Sequence, residues 1–216
     1  MDLDAWGNDM SNAERVIPVA NLQEFFRDSI NNAMENQGVD ADDHTAYYVV
    51  NLLTVFSRSE ALYEQTDQGF GIKPLARMLG DAVQAESQEE RNVALKRLGD
   101  VSLFVAGFFY ESLARSLVDV DYYVNMGGGA YGSLSEGLGS TTRGRVFQAV
   151  YAELANKFQD FVDVLNEVRD MAKSSSDHDL LRLYEIWLRT GSRRVAGLLR
   201  DLGVEPGQFA ETRFQH

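Results

Sequence analysis

From Phe147 to Val168 the residues Phe147, Tyr151, Leu154, Phe158, Phe161, Leu165 and Val168 recur at alternating steps of four and three. That spacing lines one side of an α-helix and cannot be the strict alternation of a strand. It predicts a single helix from about Arg143 to Ala172, roughly 45 Å long. The spacing also suits a coiled-coil seam. Val150 and Val162 widen the stripe, which favours a core helix of a bundle over an intermolecular coiled coil. Ala94, Leu98, Val101, Val105 and Phe108 repeat the pattern earlier in the chain.

The remaining helices are read from their caps. Asn21-Leu-Gln-Glu24 resembles a capping box, and a helix with Leu22, Phe25, Phe26, Ile30 and Met34 inward runs from there to Gly38. Asp40-Ala-Asp-Asp43 supplies the next N-cap. The following segment, Ala46 to Phe56, is apolar almost all round and is expected to be a central helix. Ser59–Lys73, with Gly69 and Gly71, reads as a connection with room for one helical turn. Pro74 opens a third helix, and Ser87-Gln-Glu-Glu90 is a better capping box for a fourth. Gly107 predicts a bend in that fourth helix, followed by a short helical piece to Leu117. Asp119 caps a fifth helix ending near Gly137 or Gly139. Ser174-Ser-Ser176 and Gly191 bound a C-terminal pair of helices. The expectation is an all-α, single-domain bundle of seven or eight helices over residues 16–205. A loose segment, 1–15, precedes it and a tail, 206–216, follows.

The segment Leu98-Gly-Asp-Val-Ser-Leu-Phe-Val-Ala-Gly-Phe-Phe109, followed by Val120-Asp-Tyr-Tyr123, resembles a family of bacterial all-helical proteins with no established activity. The similarity runs from about Leu22 to Val168. It implies kinship and a helical fold, and it implies no function.

Charge narrows the partners. The net charge of −13 repels phosphate backbones and anionic lipid, so neither nucleic acid nor membrane is an expected partner. The run Leu103–Phe109 is too short to span a bilayer, and the acidic start lacks a signal-peptide pattern, so a cytoplasmic setting is expected. The absence of cysteine excludes disulfides and thiol chemistry. Residues 1–45 hold ten acids and two bases, whereas residues 178–216 hold five acids and six arginines. The simpler expectation is that these ends pair within the fold; head-to-tail pairing between subunits is the alternative.

The chemistry-bearing residues gather near the middle of the chain. Gly127-Gly-Gly129-Ala-Tyr-Gly132 satisfies G-x-G-x-x-G, but no strand of a βαβ unit precedes it. Three glycines in a helix instead point to close approach by another helix. Asp100, Asp119 and Asp121 lie among aromatic and apolar residues, where paired acids divide into acid and base or hold a hard cation. The structural alternative makes Asp119 an N-cap and pairs Asp100 with Arg97, Arg58 or Arg145. His44 and His178 lack an acid three residues before them, so no di-metal signature is present, and neither a metal nor a cofactor is expected. Aromatics from Tyr47 to Tyr131 either line a pocket or form the core.

These residues leave catalysis unassigned and lean against an enzyme. The first expectation is a non-catalytic interaction protein that binds a protein partner or itself, with a homodimer as one form. The long heptad helix and the C-terminal pair would be its surfaces. The alternative is a small-molecule binder or enzyme with a pocket between the second, fourth and fifth helices. Asp100, Asp119, Asp121, Tyr122, Tyr123 and Asn125 would supply its polar groups, and Gly127, Gly128 and Gly129 would permit close approach.

Overall fold

The second, fifth and seventh helices each begin where a side chain accepts an otherwise unpaired backbone N–H. In the computed structural model, which describes residues 19–57, 59–66, 69–113, 119–138, 142–174, 187 and 192–201, Asp42 accepts from the His44 amide at 2.8 Å. It caps α2 (Asp43–Phe56). Ser87 accepts from the Glu90 amide at 3.2 Å and caps α5 (Gln88–Phe108), while the Glu90 carboxylate accepts from the Glu86 amide. Asp119 caps α7 (Val120–Gly137). Gly38 closes α1 (Val19–Gln37) with φ +65, and the next amide, Val39, donates to the Met34 carbonyl at 2.9 Å. That left-handed position is one that glycine adopts without a steric penalty.

The other elements are α3 (Ser59–Leu62), β1 (Glu64–Thr66), β2 (Gly69–Gly71), α4 (Leu75–Gln84) and α6 (Tyr110–Leu113). After α7 come α8 (Thr142–Asn156), α9 (Phe158–Ser174) and α10 (Arg193–Asp201). The architecture is an all-α bundle, with β1 and β2 as a small antiparallel hairpin in register Glu64–Gly71. Helix α5 is its axis. Every residue from Leu98 to Gly107 is buried, and α2, α4, α7 and α9 pack around it. Helix α1 packs on α2 and α9, and α8 packs on α7. Among the described residues no helix is long and apolar enough to cross a membrane.

Four expectations are corrected. The helix expected over 143–172 is two helices that meet at Lys157. The i,i+4 bonds run through the joint, with the Lys157 amide donating to Glu153 and the Phe161 amide to Lys157. Tertiary ties hold the joint. Glu153 accepts from the Asp42 amide at 3.1 Å and from Lys157 at 2.8 Å, and Lys157 also donates to the Asp40 carbonyl. The heptad positions Leu154, Phe158, Phe161, Leu165 and Val168 are all buried within the chain, as are Val150 and Val162, so they form core rather than a seam for another molecule.

The second correction concerns α2, which is not the central helix. It exposes Tyr47 (56%) and Val55 (51%) while Val49, Val50, Leu52, Leu53 and Phe56 are buried. Third, the connection over 59–73 holds the allowed helical turn as α3, but it also forms the hairpin, which was not expected. Arg97 holds it there by donating to the carbonyls of Ala61 and Leu62 and lying over the Phe56 ring at 5.3 Å. Burial lowers the Arg97 pKa, with the acids Glu64 and Asp100 opposing that shift.

The fourth correction divides the triple glycine. A β-carbon on Gly127 would lie 2.3 Å from the Phe158 ring and 2.7 Å from Cβ of Ser102. One on Gly128 would make ordinary contacts with Ala155 and Phe158, and one on Gly129 would meet nothing within 4 Å. Close approach therefore requires Gly127 alone. Gly107, expected to make a bend, is a packing glycine as well, since a β-carbon there would meet Leu165 at 2.5 Å. The chain nevertheless breaks where expected, at Phe109, before α6. The expected segments 1–15 and 206–216 lie outside the described residues, as does most of the seventh predicted helix.

The glycines yield a paired test. Gly127→Ala should lose about 1–3 kcal/mol through overpacking. Gly129→Ala should gain up to about 1 kcal/mol from helix propensity. Urea denaturation followed by circular dichroism measures both, and equal effects at the two positions would refute the packing assignment.

Candidate functional site

A carboxylate taken out of water needs partners for its lone pairs. Asp100 is 6% exposed in the middle of α5, and both of its oxygens are engaged. Oδ1 accepts from the Tyr48 hydroxyl at 2.5 Å and from the Tyr131 hydroxyl at 2.8 Å. Oδ2 accepts from the Lys96 ammonium at 2.5 Å, one helical turn earlier. Three helices, α2, α5 and α7, thus meet on one carboxylate.

Local chemistry places each partner. Lys96 is the i,i+4 neighbour of Asp100, and its stem runs outward so that the side chain is about half exposed. Its ammonium also lies 5.3 Å from the centre of the Tyr48 ring. Tyr131 is fully buried, and its ring occupies the space a β-carbon on Gly99 would take, at 2.5 Å. Tyr151 of α8 stacks on Tyr131 at 5.6 Å, Phe147 stacks on Tyr151, and Tyr48 stands edge-on to Tyr131 and Tyr151. An aromatic wall therefore shields the carboxylate from water.

Burial and the neighbouring groups push the Tyr48 and Tyr131 phenols far above their ordinary pKa, and burial pushes Tyr151 up to about 12. Such phenols are poor proton donors near neutral pH, and they serve Asp100 as neutral hydrogen-bond donors. Both oxygens of Asp100 are thus engaged, Oδ1 by two phenols and Oδ2 by an ammonium. Among the described residues no three His, Asp or Glu side chains gather as a ligand set.

The residues named from sequence divide. Asp100 lies at the centre of this cluster, but its expected arginine partner is replaced by Lys96 and two tyrosines. Arg97 is spent on carbonyls and Arg145 is exposed, while Arg58 lies outside the described residues. Asp119 is the N-cap of α7, with its carboxylate on the Val120 amide at 2.6 Å, as the structural alternative had it. Asp121, Tyr122 and Asn125 are exposed along the first turns of α7, and Tyr123 is half-buried, its phenol raised by burial and by Tyr122. Tyr122 lies nine residues, about 14 Å, along the helix from Tyr131. Gly127 and Gly128 face α8 and α9, and Gly129 faces outward. Only Asp100 of the named set joins Tyr48 and Tyr131.

Sequence reasoning missed Lys96 and Tyr151 and assigned Tyr48 and Tyr131 only to a general aromatic group. A usable signal was present. A buried tyrosine needs an acceptor, and Asp100 is flanked by apolar residues with a lysine four positions before it.

No protein-family model, curated protein or solved structure matches this chain.

Two outcomes follow from the cluster. Asp100→Ala leaves two buried phenols without their acceptor and should destabilise by about 2–5 kcal/mol, whereas Asp100→Asn keeps a carbonyl oxygen and should cost less. Chemical denaturation of the pair measures this, and equal losses would deny the acceptor role. The raised phenol pKa values also set a sign. Above about pH 10 the unfolded chain releases phenolic protons that the folded chain retains. Stability is therefore full below that pH and falls as pH rises through 10 to 12 and beyond, by up to about 1.4 kcal/mol per pH unit for each of the three tyrosines. Phenolate absorbance and circular dichroism, recorded together, should show Tyr48 and Tyr131 ionising only as the chain unfolds. Their ionisation in a still-folded chain would overturn the assignment.

Proposed function

We propose that this protein acts without catalysis, as a helical interaction protein that associates with itself or another protein through outward helix faces. The observation that carries this reading is the exposure of large apolar side chains on the helices around the core. Val83 is 71% exposed on α4, Val93 64% on α5, and Tyr47 and Val55 more than half exposed on α2. A β-branched residue at an exposed helical position contributes neither strong helix propensity nor burial to the isolated chain. Burying one valine at an interface contributes about 1.5–3 kcal/mol. The three partners of Asp100 support a structural role for the acid that most resembled a catalytic group.

Kinship with the bacterial helical family that Leu98–Phe109 resembles belongs to the same proposal, as does a cytoplasmic setting for an acidic chain without cysteine. Sedimentation velocity from micromolar to near-millimolar concentration tests self-association. The expected result is a mass that rises with concentration above the 24.2 kDa monomer. A strict monomer throughout would remove the self-associating form of the reading.

A further inference from the structure

The acidic and basic parts of the chain could neutralise one another within the fold, but their exposed members do not. On α10, Arg193 and Arg194 are exposed and make no hydrogen bond or ion pair within the described chain. Leu198, four residues after Arg194 and so on the same face, is 40% exposed, while Ala196 and Leu199 are buried on the other side. At the turn of the α4–α5 hairpin the arrangement is the converse. Glu86 and Glu89 are exposed, and their carboxylates make no ion pair. Val93 lies four residues after Glu89 on one face of α5, and Val83 stands at the last turn of α4. Val83 and Val93 are the two most exposed large apolar residues described.

Each face thus offers charge beside an apolar side chain at the same i,i+4 spacing, with opposite sign, and neither is consumed by the monomer. Resting on the association reading above, we propose that the partner is a second copy of this chain. The Arg193–Arg194–Leu198 face of α10 in one protomer seats on the Glu86–Glu89–Val93 tip of the α4–α5 hairpin in the next. Two different faces meet, so the pair closes a twofold dimer where both contacts form reciprocally and builds a ring or an open chain where each protomer uses them with different neighbours. The charges set register and select the partner, and the apolar residues supply the burial.

Sedimentation velocity on the full chain tests this with three charge-reversal variants and two apolar ones. R193E/R194E should weaken association roughly tenfold or more, and E86K/E89K should do the same. The chain carrying all four substitutions should regain it, because the reversed faces again complement each other. Val93→Gln and Leu198→Gln probe the same faces without altering charge and should each weaken association. Circular dichroism confirms that every variant is folded. Association of unchanged strength in either reversed variant, or no recovery in the fourfold variant, overturns these faces while leaving the association reading intact. A wild-type chain that stays monomeric throughout overturns both.

Discussion

Tyr131 lies flush against α5 because residue 99 is glycine, and much of the bundle follows from that contact. The ring fills the position of the missing β-carbon, which brings the phenol to Asp100, one residue further along α5. From the opposite side Tyr48 reaches the same oxygen, and Lys96 closes the other. A buried carboxylate left alone would cost several kcal/mol. Two phenols and an ammonium offset that cost only if α2, α5 and α7 hold one relative placement. Apolar packing alone tolerates sliding, whereas a carboxylate with three directed partners does not. Gly127 and Gly107 extend the constraint to α9, admitting its Phe158 against α7 and its Leu165 against α5.

Periodicity made the helices legible because it is a local property. Caps at Asp42, Ser87 and Asp119, and the left-handed Gly38, are read from residues within one turn. The joint at Lys157 is not local. No glycine or proline marks Asn156-Lys157, and the i,i+4 bonds persist across it. What fixes it is the loop after α1, whose Asp42 amide and Asp40 carbonyl bind Glu153 and Lys157. Burial lifts the Glu153 pKa, but the bonds from Lys157 and the Asp42 amide oppose it, and the carboxyl is held below its usual range. A heptad pattern is equally satisfied by one straight seam or by two core helices. Only the elements surrounding Phe161, Val162 and Leu165 decide between them. The strands at 64–66 and 69–71 are three residues each, too short for alternation to show.

The site was legible in part for the same reason. Asp100 stands out as an acid in an apolar run, and its lysine lies within one turn. Its phenols come from positions 52 residues before it and 31 after it, separations that no spacing rule connects. The triple glycine shows the converse difficulty. Gly127, Gly128 and Gly129 are identical in sequence, yet they face a crowded interface, an ordinary contact and open space. The 100° step of the helix assigns those roles, and the phase of that step is set by α5, not by the glycines.

The same logic separates what net charge decides from what a face decides. A chain at −13 repels its own copies at a distance, which opposes indiscriminate association. Screening confines that repulsion to about 10 Å at moderate salt. Inside that range the sign of the local surface governs, and α10 is locally basic with Arg193 and Arg194 exposed, whereas the tip of the α4–α5 hairpin is locally acidic. Like faces brought together gain only repulsion, and unlike faces gain both ion pairs and the burial of valine and leucine.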